Sequence, residues 1–138
     1  MKKLFVLLTS TLLFACSYGP SLDQLAAQMP KDNRSVMLQV PEAGNPVSNG
    51  MLVATIRTAG GTSGKRLVSL LATDNLHIGI AGNSQSVNKA VAMYGLNNAE
   101  KVGKDVSLYL VGDSQSDKTD LEKAAKAKNV EMHYIMQK

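Results

Sequence analysis

A single cysteine among 138 residues leaves no partner for an intramolecular disulfide, and neither a CxxC nor a Cys/His cluster with zinc spacing is present. Histidine is nearly as scarce. His77 and His133 are the only two, and both fall within runs that read as strands. Each imidazole is therefore expected to be a packed or sheet-face group rather than the base of a Ser-His-acid triad, and no metal site is expected. Aromatic residues make up 4% of the chain, and Tyr94, Tyr109 and Tyr134 are too dispersed to form a platform for stacking bases. Long apolar runs are missing too. The leading one covers residues 4–15, well short of the roughly 20 residues a helix needs to cross a bilayer. Charge of one sign is also lacking. Lys and Arg number 15 against 11 Asp and Glu, and Lys2 and Lys3 lie in the leading segment, so the remainder is close to balance. The cluster Lys123, Lys126 and Lys128 is interleaved with alanines and reads as a solvated helix face. Nucleic acid is not an expected partner.

What is present begins with residues 1–16, MKKLFVLLTSTLLFAC: two lysines, a short apolar run, and a small residue before the cysteine. This is the layout of an export signal. Leu13, Phe14, Ala15 and Cys16 resemble the lipobox of bacterial lipoproteins, which has leucine three places before the cysteine and Ala or Gly directly before it. The resemblance implies acylation of the Cys16 thiol, cleavage between Ala15 and Cys16, and a palmitate-bearing anchor of two or three chains that holds durably where one would not. In enterobacteria-like lipoproteins an aspartate after the cysteine retains the protein at the inner membrane. Ser17 stands there instead, which implies the periplasmic side of the outer membrane. The expected organisation is a signal peptide over residues 1–15, an anchor and tether over 16–34, and one domain over 35–138, since 44% apolar composition suffices for one core.

Within the tether, Leu22, Leu25, Ala26 and Met29 follow helical spacing between Pro20 and Pro30. Residues 35–40 alternate as a strand, residues 41–50 are rich in turn formers, and residues 51–56 form an apolar run of strand length. Beyond them helix and strand patterns alternate: a helix around Leu67 to Leu71, a strand over 76–81, a helix carrying Val87, Ala90, Val91 and Tyr94, a strand over 106–111, a helix carrying Leu121, Ala124 and Ala125, and a strand over 131–136. This predicts an α/β fold, a small three-layer sandwich with a mainly parallel sheet of about five strands and about three helices; the N-terminal strand, joined by a short link to the next, is open to an antiparallel place. A repeat supports the frame. Gly82, Asn83, Ser84, Gln85 and Ser86 recur 30 residues later as Gly112, Asp113, Ser114, Gln115 and Ser116, each set between a strand and a helix, where Gly permits a sharp turn and Asn, Asp or Ser can cap the helix.

The stretch from Ala59 through Gly60, Gly61, Thr62, Ser63 and Gly64 to Lys65 superficially resembles a P-loop, but Arg66 stands where Ser or Thr would hold magnesium, and Ala59 replaces the first Gly. Backbone amides at a helix N-terminus, assisted by Lys65, offer a bare anion site as the alternative to a simple turn. Three βα loops, at residues 58–64, 82–86 and 112–116, are expected at one sheet edge, where α/β sheets bind ligands. They make Gly61, Thr62, Ser63, Lys65, Asn83, Ser84, Asp113 and Ser114 the candidate ligand-binding residues, beside Cys16 as the lipidation site. Asp113 is the only carboxylate among them, so no paired acid and base exists. No catalytic residue and no cofactor is expected. The sequence points to a non-catalytic, lipid-anchored adaptor or accessory subunit of an envelope assembly (secretion, pilus, conjugation, or exclusion and immunity), with an envelope protein as partner. The alternative is a binding module for a small anion or cell-wall fragment at the loop edge; a hydrolase of envelope substrates ranks third.

Overall fold

The computed structural model describes residues 20–41 and 44–137. Four strands, β1 (Ser35–Gln39), β2 (His77–Ala81), β3 (Ser107–Gly112) and β4 (Glu131–Met136), pair in chain order into one sheet. Every pairing is parallel. Five helices accompany them: α1 (Pro20–Gln28) before the sheet, α2 (Pro46–Ala59) and α3 (Gly61–Leu71) between β1 and β2, α4 (Gln85–Asn98) between β2 and β3, and α5 (Gln115–Ala127) between β3 and β4.

Successive parallel strands laid side by side make every crossover step the same way, and crossovers of one hand place their helices on one face. The main core has this composition: Ile56 of α2, Leu67 and Leu71 of α3, Val87, Val91 and Leu96 of α4, and Leu121 and Ala125 of α5 pack on Leu38, Ile78, Ile80, Leu108 and Leu110 of the sheet. The opposite face carries a smaller cluster in which Leu25 of α1 and Met29 just after it meet Ala81, Tyr109 and Val111. Covered on both sides, β3 buries all six of its residues, which is why it reads as an almost unbroken apolar run.

Three expectations need correction. Residues 51–56 are not a strand but the middle of α2, so the sheet has four strands and not about five. The helix starts where Asn45 accepts a hydrogen bond from the Ser48 amide at 2.9 Å, with Pro46 in the first turn, a cap and Pro pair that pre-forms the first turn. With that strand gone, β1 and β2 are joined by a long helical crossover, and β1 lies parallel, not antiparallel. Among the described residues helices number five rather than about three, because residues 51–56 belong to a helix and because the helical spacing before Pro30 is a full helix packed on the sheet.

The internal repeat is longer than the two loops. Asn75 and Asp105, again 30 residues apart, both adopt left-handed backbone, with φ of 58° and 56°, and Asn129 does so before β4, at 59°. Asn and Asp tolerate this conformation, and at Asn129 it follows the C-cap of α5 and ends that helix. Each is followed by a buried apolar residue, Leu76, Val106 or Val130, and then by a strand.

The glycines at the other end of each repeat serve space rather than conformation. Neither Gly82 nor Gly112 has a positive φ, but a Cβ on Gly112 would fall on the Tyr134 ring and hydroxyl, and one on Gly82 on the Asn88 side chain and the Val40 carbonyl. Gly112→Ala is expected to cost about 1–3 kcal/mol as overpacking, read as a lowered urea midpoint. Gly50→Ala, inside α2 with nothing within 4 Å of the new Cβ, is expected to stabilise the fold by up to about 1 kcal/mol through helix propensity, read as a raised midpoint.

Candidate functional site

Parallel strands deliver the two repeated loops to one edge, the carboxyl-terminal edge of the sheet, as the sequence predicts. The hydroxyls there are turned to capping. Ser84 Oγ accepts from the Val87 amide at 3.4 Å and Ser114 Oγ from the Asp117 amide at 3.2 Å, opening α4 and α5. Asn83 and Asp113 precede the caps and are exposed. The loops are also tied to each other and to β4: the Asp113 amide donates to Gln85 Oε1 at 3.0 Å, and the Ser114 amide to the Tyr134 hydroxyl at 3.1 Å. Burial raises the Tyr134 pKa above its ordinary value, partly offset by that amide bond. Below the edge, Asn88 donates to the Gly82 carbonyl at 3.0 Å. Lys89 of α4 bridges Asp117 and Asp120 of α5 at 2.9 and 3.0 Å, and those two hydrogen-bonded carboxylates raise its pKa.

Gly61, Thr62, Ser63 and Lys65 do not join this edge. They form the first turn and a half of α3, which follows α2 through a glycine hinge and not a strand through a βα loop. Gly60 and Gly61 have φ of 82° and 59°, backbone that glycine enters at little cost, and the bare Cα atoms of Gly60 and Gly64 let the Tyr94 ring lie against them. The third true βα connection runs from Val40 to Asn45. Cys16 lies outside the described residues.

A second concentration of functional groups was not legible from spacing. On the sheet face that carries α1, the Tyr109 ring stacks on His133 with centroids 4.4 Å apart and meets the edge of His77 at 6.5 Å. His133 Nε2 lies 2.9 Å from Glu131 Oε1. Burial, with the Glu131 charge next, raises the Tyr109 pKa, and a hydrogen bond with Ser107 opposes the rise. Only the strand order makes these residues neighbours: His77 pairs with Ser107, and Tyr109 with His133. Tyr109 stands between the imidazoles, and among the described residues no group of three or more His, Cys, Asp or Glu could hold a metal ion. Near the same edge of the sheet, the amino-terminal one, an open depression of about 610 Å³ is lined by Glu100, Lys104, Asp105 and Lys128 among others. Lys128 Nζ donates there to the Ala99 carbonyl at 2.7 Å.

The arrangement separates two roles for the repeat. Ser114→Ala is expected to cost about 1 kcal/mol through loss of a cap, whereas Asp113→Ala should leave stability nearly unchanged, because its amide and not its carboxylate is held by Gln85. Urea titration of both variants checks this. An equal loss from Asp113→Ala would show that its carboxylate has a structural partner.

Compared with protein-family models, curated proteins and solved structures, the chain matches none.

Proposed function

We propose that the chain is an envelope lipoprotein, anchored by lipid on Cys16 at the periplasmic side of the outer membrane, whose α/β domain acts as a non-catalytic adaptor for a membrane-associated protein assembly. The observation that carries this reading is the ordered run of two lysines, a short apolar stretch, and Leu13, Phe14, Ala15 and Cys16, which accounts for the only thiol in the chain. No helix among the described residues is long and apolar enough to cross a membrane, and anchoring would concentrate the domain near membrane partners without further contacts. The repeated loops favour an adaptor because Ser84 and Ser114 are engaged as caps. Exposed Asn83 and Asp113 at the same edge favour the second reading, a binding module for a small polar ligand.

Feeding cells an alkyne fatty acid, separating inner and outer membranes on a sucrose gradient, and cross-linking the intact envelope tests the proposal. The expected result is label on the chain, recovery in the outer-membrane fraction, and a captured envelope protein. An unlabelled chain removes the anchor, and recovery with the inner membrane removes the placement.

A further inference from the structure

Among the described residues, the large apolar side chains that stand out into solvent lie toward one edge of the sheet. Val47, Met51 and Met136 are 76%, 69% and 40% exposed. Met136 ends β4 at the carboxyl-terminal edge of the sheet, where it pairs with Gly112. Val47 lies in the first turn of α2, the helix that leaves the same edge after β1, and Met51 follows it at i+4 on the same helix face. The opposite edge is more heavily charged, with exposed Asp74, Glu100, Lys101, Lys104 and Asp105 against exposed Asp113 on this one.

The direction of α1 singles out the same edge. The Ser35 hydroxyl, at the start of β1, donates to the Pro30 carbonyl, a Cβ on Gly79 in mid-sheet would meet Met29, and Leu25 packs with Ala81 and Val111 further along. The helix thus runs antiparallel to the strands, and Pro20 points to their carboxyl-terminal edge. Cys16 precedes Pro20 by four residues, a distance of at most about 14 Å even fully extended.

We propose that this edge rests on the lipid surface, with Val47, Met51 and Met136 entering the headgroup region and the charged amino-terminal edge facing away. The proposal depends on the lipid-anchor reading of Cys16. A chain fixed within so short a reach has already lost most of its translational freedom, so a few apolar side chains suffice to set its orientation, through burial at the interface. It also deepens the adaptor reading: a partner would meet the helices or the amino-terminal edge, not the repeated loops.

The chain has no tryptophan, so Met51→Trp and Lys104→Trp each give a single reporter. Each full-length variant, expressed in bacteria, extracted from the envelope and reconstituted into phosphatidylethanolamine and phosphatidylglycerol vesicles with brominated acyl chains, is read by fluorescence. The expected result is a blue-shifted, quenched emission from Met51→Trp and an unshifted, unquenched one from Lys104→Trp. Equal behaviour of the two, or quenching at Lys104→Trp alone, overturns the orientation. Intact mass tells the two readings apart. If Cys16 carries no acyl group the anchor reading fails, and coupling its thiol to a maleimide lipid in the same vesicles still tests the orientation: the same contrast supports it, and no contrast rejects it.

Discussion

Replacing Cys16 by serine is expected to leave a full-length, unlipidated precursor and to remove the mature protein from the outer-membrane fraction altogether. The reason is chemical. Acyl transfer needs a thiolate, serine ionises too weakly to replace it, and cleavage before residue 16 follows acylation in the lipoproteins that the lipobox resembles. Phe14→Ala, which leaves Leu13, Ala15 and Cys16 in place, should process normally. Gel mobility, fatty-acid labelling and fractionation of the two variants side by side give the answer. Label on the Cys16→Ser chain, or a mature form that begins at another residue, would end the lipoprotein reading.

Leu25→Ala is expected to destabilise the fold by about 2–5 kcal/mol, the range for truncating a fully buried leucine in a site that cannot collapse. Leu25 is 0% exposed, although its helix lies in what the sequence presents as a tether. Its neighbours Ala81 and Val111 belong to the central strands, so the loss should appear as a lower urea midpoint at unchanged slope and as faster amide exchange in β2 and β3. Leu22→Ala, only half-buried, should cost less. A loss from Leu25→Ala below about 1 kcal/mol would mean that α1 opens separately from the rest of the domain.

How far the sequence could be read depended on how much each signal spanned. The strands β2, β3 and β4 are legible to within a residue or so, since each follows an Asn or Asp and a buried apolar residue, β2 and β3 run into a Gly, and the twin GNSQS and GDSQS loops set the spacing of two units. Residues 51–56 misled because a run of apolar residues shorter than two helical turns fits a period of 2 as well as one of 3.6. The cue that decides it, Asn45 with Pro46, lay among residues that also form turns. A strand there would put Gly61, Thr62, Ser63 and Lys65 in a βα loop, whereas the structure puts them in α3. Of the candidate site, Asn83, Ser84, Asp113 and Ser114 do meet at one edge. The alignment of His77, Tyr109 and His133 was out of reach, because it follows from the order of strands far apart in sequence.

The docking of α1 also has a mechanical side. Parallel strands cross-linked along their length resist a pull in shear, whereas α1 adheres through side chains such as Leu25 and Met29, outside the strand ladders. Load applied between residue 16 and the sheet therefore reaches these side-chain contacts before the ladders. Release of those contacts would let residues 20–34 extend to about 50 Å and would bare Ala81, Tyr109 and Val111 on the sheet.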